Sequence, residues 1–228
     1  SHVRDWLLHP GRPSWRFAEA HADIDVPNLD FTGWYDHCSS IGHLTGMQEN
    51  ARTETARDQT KVVIGPWSHG TMGKQECLGI DFGPDAALDI RDLEIRWFDY
   101  WLKGIENGTD QEPPVRYFVM GTGEWKSAPT WPPPGLAARD LYLHSSASAE
   151  GTLMDAQPTE TSTGTYHYDP RDPLPTLWTR NLMAGASDRS RLNYRKDVLR
   201  YRTEPLATDI EIAGSPELVL YASSSAVD

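Results

Sequence analysis

Apolar residues change their spacing twice along this chain, and each change marks a different kind of local structure. Residues 1 to about 24, including "DWLLHPGRPSWRF", mix aromatic residues with prolines at neither strand nor helix period, so irregular or short helical packing is expected. From Val26 to Gly104 short apolar runs alternate with stretches of helical spacing, the pattern of a parallel α/β layer. "LDFTG" at 29–33 is the first expected strand, and Ile41, Leu44 and Met47 follow it at near-helical intervals. The second strand is "VVI" at 62–64, bounded by Gly65 and Pro66 and apolar enough to be buried on both faces. Ile90, Leu93, Trp97, Phe98 and Trp101 then predict a helix that ends at Gly104. Its three large rings are expected in the core, with Asp92/Arg96 and Asp99/Lys103 as i,i+4 pairs on the outer face.

After 113 the period falls to two. "VRYFVM", "RDLYLH", "GTYHYD", "DVLRYR", "DIEI" and "ELVLYA" are separated by Pro, Gly, Ser and Asp, which predicts an antiparallel sandwich or jelly roll. Polar, Gly and Pro residues concentrate in "GTDQEPP" at 108–114, so the expected division is 1–112 and 113–228. The N-terminus begins abruptly and "LVLYASSSAVD" ends just past a strand, so both parts are expected to be incomplete.

With 38% hydrophobic residues the chain can bury a core, and its net charge of −12 without a Lys/Arg cluster argues against a nucleic-acid partner. No apolar run reaches the roughly 18 residues of a membrane span, and no signal-peptide core opens the chain; the compartment stays open, with the cytoplasm slightly favoured. Cys38 and Cys77 match no zinc or redox spacing, so free thiols are expected, with a single bridge as the alternative.

Two strands each run into a loop that presents one ionisable side chain: Asp36 closes "GWYD" and His69 sits in "GPWSHG". A neutral His acts as a general base when a carboxylate holds its tautomer and stabilises the imidazolium. In α/β-hydrolases the order is Ser, then Asp or Glu, then His, with Ser on a G-x-S-x-G turn. Asp36 before His69 fits the last two places, and no G-x-S-x-G occurs in the 228 residues, so the nucleophile is expected upstream. Taken singly, Asp36 reads as a turn or helix cap and His69 as a hydrogen-bonded loop residue. Trp34, Tyr35 and Trp67 flank the pair as candidates for lining a substrate pocket, with plain core packing the equal reading. Asp30 stands in a strand where an apolar residue is usual, so its carboxylate needs a partner or bends the strand.

A metal site is the competitor. His37 and His43 are six residues apart, which fits no H-E-x-x-H pattern, and Asp81, Asp85 and Asp89 flank a helix start that favours carboxylates by itself. No metal and no cofactor are expected.

"VPNLDFTGWYD", "VVIGPWSHG", "IRWFDYWLKGIENG", "PPVRYFVMGTGEW", "YDPRDPLPT" and "LVLYASSSAVD" together resemble the cocaine-esterase and X-prolyl dipeptidyl-peptidase group of serine hydrolases, over nearly the whole chain. The resemblance implies the C-terminal part of an α/β-hydrolase domain followed by an all-β jelly roll, with residues 1–24 as the end of a helical cap. It matches Asp36 to the triad acid and His69 to the triad base. Substrates would be small esters or amides or short peptides, with "GWYD" closer to the esterase branch, and a homo-oligomer is compatible with this. Without the serine the chain alone is expected to be inactive, and with its strand edge uncovered, poorly soluble. Two other readings stay open: a non-catalytic β-sandwich binding module and a metal-dependent hydrolase.

Overall fold

The computed structural model describes residues 20–36, 39–145, 150–175, 177 and 188–225. Its first sheet has the order β1-β2-β5-β6, formed by β1 (Leu29–Gly33), β2 (Lys61–Gly65), β5 (Val115–Val119) and β6 (Glu124–Ala128). β1 and β2 pair in parallel from Leu29↔Lys61 to Gly33↔Gly65. Parallel neighbours need a crossover, here helices α1 (Ser39–Asn50) and α2 (Glu54–Gln59). Thr53 caps α2: its hydroxyl accepts the Ala56 N–H and donates to the Asp25 carbonyl.

Alternation divides the sheet residues between two faces. On one, Val62, Ile64, Val115 and Tyr117 pack under Leu44 of α1. On the other, Val63 and Arg116 face α3 (Ile90–Lys103), whose Leu93 and Trp97 cover the start of the strands, while Phe118 packs against Phe82 and Trp125. All five residues of β2 are buried, because strands flank it on both sides and helices cover both faces. Asp89 accepts the Asp92 N–H to start α3, and Gly104, at φ 68°, stops it.

Three expectations change here. β5 lies parallel to β2 in this sheet and β6 returns beside it, whereas "VRYFVM" was expected in the second β layer. The switch of period at 113 therefore marks the entry of the next strand into the same sheet and not the end of that sheet. Of the α3 rings, Trp97 is buried but Phe98 is 53% exposed, because the sheet covers only one side of the helix. Arg96 pairs with Glu112 at 2.8 Å and not with Asp92, since the chain after α3 folds back across it.

Downstream, β7 (Tyr142–His144), β8 (Glu150–Met154) and β9 (Arg200–Arg202) form a three-stranded sheet in which β8 and β9 run parallel. "GTYHYD", "DIEI" and "ELVLYA" form no strand, and Ile212, Leu218 and Val219 are exposed. Period-two alternation becomes a strand only where a neighbour completes the ladder, and these segments have none among the described residues. β3 (Glu76–Cys77) and β4 (Ile80–Asp81) make a small hairpin beyond β2. Among the described residues no helix is long and apolar enough to cross a membrane.

Candidate active site

The two loops after β1 and β2 are zipped together by main-chain hydrogen bonds. Trp34 N–H donates to the Gly65 carbonyl, Tyr35 N–H to the Trp67 carbonyl, and Asp36 N–H turns back to the Gly33 carbonyl. This close approach explains a glycine in each motif. A Cβ on Gly33 would lie 2.1 Å from the Trp67 carbonyl oxygen, and one on Gly65 would lie 2.3 Å from the Trp67 ring. Trp67 is fully buried, packs its ring at a tilt against Trp125, and donates its indole N–H to the Ala86 carbonyl. Its packing thus sets the separation of the two loops.

Past Trp67 the chain makes a single turn, His69–Thr71. Ser68 N–H donates to the Thr71 hydroxyl, Thr71 N–H to the Ser68 carbonyl, and the two hydroxyls are 3.1 Å apart. Ser68 is buried in that reciprocal cap, while His69 at its start points outward. There the imidazole Nδ1 lies 3.2 Å from Asp36 Oδ2, with the carboxylate side chain 13% exposed and the imidazole 66% exposed. A hydrogen bond through Nδ1 leaves Nε2 as the nitrogen turned to other partners.

The flanking aromatic residues separate. Trp67, expected among pocket-lining candidates, serves as packing. Trp34 donates its indole N–H to the Phe118 carbonyl at 2.8 Å and leans on Trp131. Tyr35 is half-buried against Phe82, and burial, then Cys77, pushes its phenol up. Cys77 is a buried free thiol; His37 and Cys38 lie outside the described residues, as do residues 1–19 of the expected cap segment. The Ser68–Thr71 cap was not anticipated, although its S-x-x-T spacing is visible in "SHGT".

Asp30 finds its expected neighbour on α1. His43 Nε2 is 4.0 Å from its Oδ2, and His43 Nδ1 is 3.0 Å from Nε2 of the buried His21. Asp30 Oδ2 has no hydrogen-bond partner among the described residues. Burial therefore raises its carboxyl above the usual range, against the opposing pull of His43 and Asn28.

Residues 107–228 match the family described as the X-Pro dipeptidyl-peptidase C-terminal non-catalytic domain. The chain is 33% identical over 238 residues to cocaine esterase of Rhodococcus sp. (strain MB1 Bresler), covering 96% of this chain and 40% of that protein. A putative serine esterase of Mycobacterium bovis is 27% identical over 239 residues, 94% of this chain and 32% of that protein. The fold is similar to the crystal structure of an aminopeptidase from a marine sediment archaeon, Thaumarchaeota archaeon. There the TM-score is 0.64 at 20% identity, over 90% of this chain and 36% of that one. The chain belongs to the cocaine-esterase and X-Pro dipeptidyl-peptidase group, a hydrolase family. It spans less than half the length of these relatives.

Proposed function

We propose that this chain is the C-terminal part of a serine hydrolase acting on small esters or amides, with an esterase favoured over an X-Pro dipeptidyl-peptidase. The observation that carries the reading is the 3.2 Å contact between Asp36 Oδ2 and His69 Nδ1 on loops after adjacent parallel strands. In this mechanism Asp36 fixes the His69 tautomer, and Nε2 takes the proton of a serine supplied from outside these 228 residues. The serine oxygen attacks the substrate carbonyl, His69 returns the proton to the leaving group, and water then releases the acyl group by the same route. Trp34 and Tyr35 are the side chains beside the pair that would meet substrate. The esterase preference rests on the two esterase-named relatives, each aligned over 94% or more of the chain.

In the same proposal the three-stranded sheet and the segments after it belong to a jelly roll that takes no part in the chemistry. The family description of residues 107–228 as non-catalytic supports that division of labour. The test uses the full-length protein, a fluorophosphonate probe and mass mapping. One serine outside this chain should be labelled, with labelling lost in His69→Ala. Labelling of Ser39, Ser40 or Ser68 would overturn the assignment of the nucleophile, and undiminished labelling in His69→Ala would overturn that of the base.

A further inference from the structure

The face of the first sheet that α3 covers carries more positive charge than its carboxylates answer. Lys61 opens β2, and Arg116 stands on β5 opposite Val63, so both cations face α3 two residues apart along the sheet. Arg96 enters from α3 itself. With Leu29, Val63, Leu93 and Trp97 as apolar walls, these groups bound a cavity of about 260 Å³. It lies at the start of the strands, whereas Asp36 and His69 follow their ends.

The charges do not cancel. Glu112 accepts from Arg96 at 2.8 Å and also acts on Lys61 and Arg116, while Asp110 acts on Lys61 and on Tyr100. Two carboxylates thus face three cations. The Lys61 ammonium donates to the Glu112 main-chain carbonyl. The Arg116 guanidinium lies over the Trp125 ring, 4.8 Å from its centroid, and none of its hydrogen-bond donors finds an acceptor among the described residues. Burial pulls both Lys61 and Arg116 below their usual values, against the opposing pull of the nearby carboxylates. A half-buried guanidinium on the inward face of a strand, resting on an aromatic ring and making no hydrogen bond among the described residues, keeps its donors open to a ligand entering the cavity. Its planar fork matches a carboxylate, and the apolar walls match a short hydrocarbon chain.

We infer that this cavity binds a small carboxylate with a short apolar tail, the carboxylate pairing with Arg116 and the tail lying against Val63, Leu93 and Trp97. The site is independent of the proposed hydrolysis and is read by binding alone. Titration calorimetry of the full-length protein with hexanoate, hexanamide and inorganic phosphate separates charge from tail. Hexanoate should bind saturably at one site, at least ~10-fold more tightly than either of the other two, about 1.4 kcal/mol. Arg116→Met should weaken hexanoate by ~10-fold or more, and Arg116→Lys by less, since it keeps the charge but loses the fork. Asp36→Asn should leave hexanoate binding unchanged. If Arg116→Met does not fold, Leu93→Trp, which fills the cavity from α3, should weaken hexanoate in its place. Equal binding of hexanamide or phosphate would overturn the inference, as would no saturable binding by ~10 mM. Binding insensitive to Arg116→Met or Leu93→Trp, or lost in Asp36→Asn, would overturn it as well.

Discussion

Residues 29–128 and residues 141–225 are held together by different physics. In the first region β2 is buried at every position, and Ile64, Val62, Val115 and Leu44 form a continuous apolar core between sheet and helix. In the second, the best-buried contacts are polar. Arg195 donates to both oxygens of Asp197 and to the Asp172 carboxylate and carbonyl, and Arg200 ties Glu150 to the Leu192 and Asn193 carbonyls. Among its described residues no apolar side chain is fully buried and several lie outside, with Ile212 82% and Tyr221 96% exposed. Hydrophobic alternation alone does not make a core; a second layer at the right distance does.

The sharpest form of this contrast is chemical. Asp36→Asn in the full-length protein should lower kcat by ~10⁴-fold, the size of the loss in a trypsin-type triad, with the unfolding midpoint nearly unchanged. Esterase assays and thermal melts check it, and an effect under ~10-fold would detach Asp36 from the chemistry.

A packing comparison comes next. Ile64→Ala in the first region should cost about 2–5 kcal/mol in denaturant unfolding, while Leu220→Ala in the second should stay within about 0.5 kcal/mol. Comparable costs would mean that the second region has an apolar core of its own. The polar side of the contrast is read by two arginines. Arg195→Met should lower the melting midpoint, whereas Arg171→Met, whose partner Asp169 is two residues away on an exposed turn, should hardly move it. Equal shifts would remove the special status of the Arg195 clamp.

The smallest effect is one of pH. Because burial raises the Asp30 carboxyl, the folded state keeps a proton that the unfolded chain has lost. Stability from this group is therefore full below the ordinary carboxylate range and declines as pH rises through the folded value. Asp30→Asn should flatten that decline in melts recorded across the acidic range. An unchanged slope would assign the pH dependence to other groups.

Much of the first region was legible because its signals are local. Residues 62–64 are apolar and bounded by turn residues, Leu29 and Phe31 alternate with polar positions ahead of Gly33, and the helix from Ile90 carries both its Asp89 start and its Gly104 stop in the sequence. Asp36 and His69 could be singled out because each follows such a strand, although 33 residues of chain separate them. Trp34, Tyr35 and Trp67 could not be sorted by sequence, since an indole beside a site looks the same whether it lines a pocket or supports a loop. "VRYFVM" was misplaced for a related reason: strand period reports alternation and says nothing of which neighbour supplies the hydrogen bonds.

The sequence by itself determined helix α3 with its start and stop, the two strands that open the first sheet, and the motifs that carry Asp36 and His69, because their signals lie within a few residues. The tertiary structure decided which strand lies beside β2, which side of α3 is covered, and that Trp67 holds the loops of Asp36 and His69 together. It also brought Lys61, Arg96 and Arg116 around one cavity. Those outcomes depend on pairing and burial between distant segments, where each group's partner is chosen by the fold as a whole.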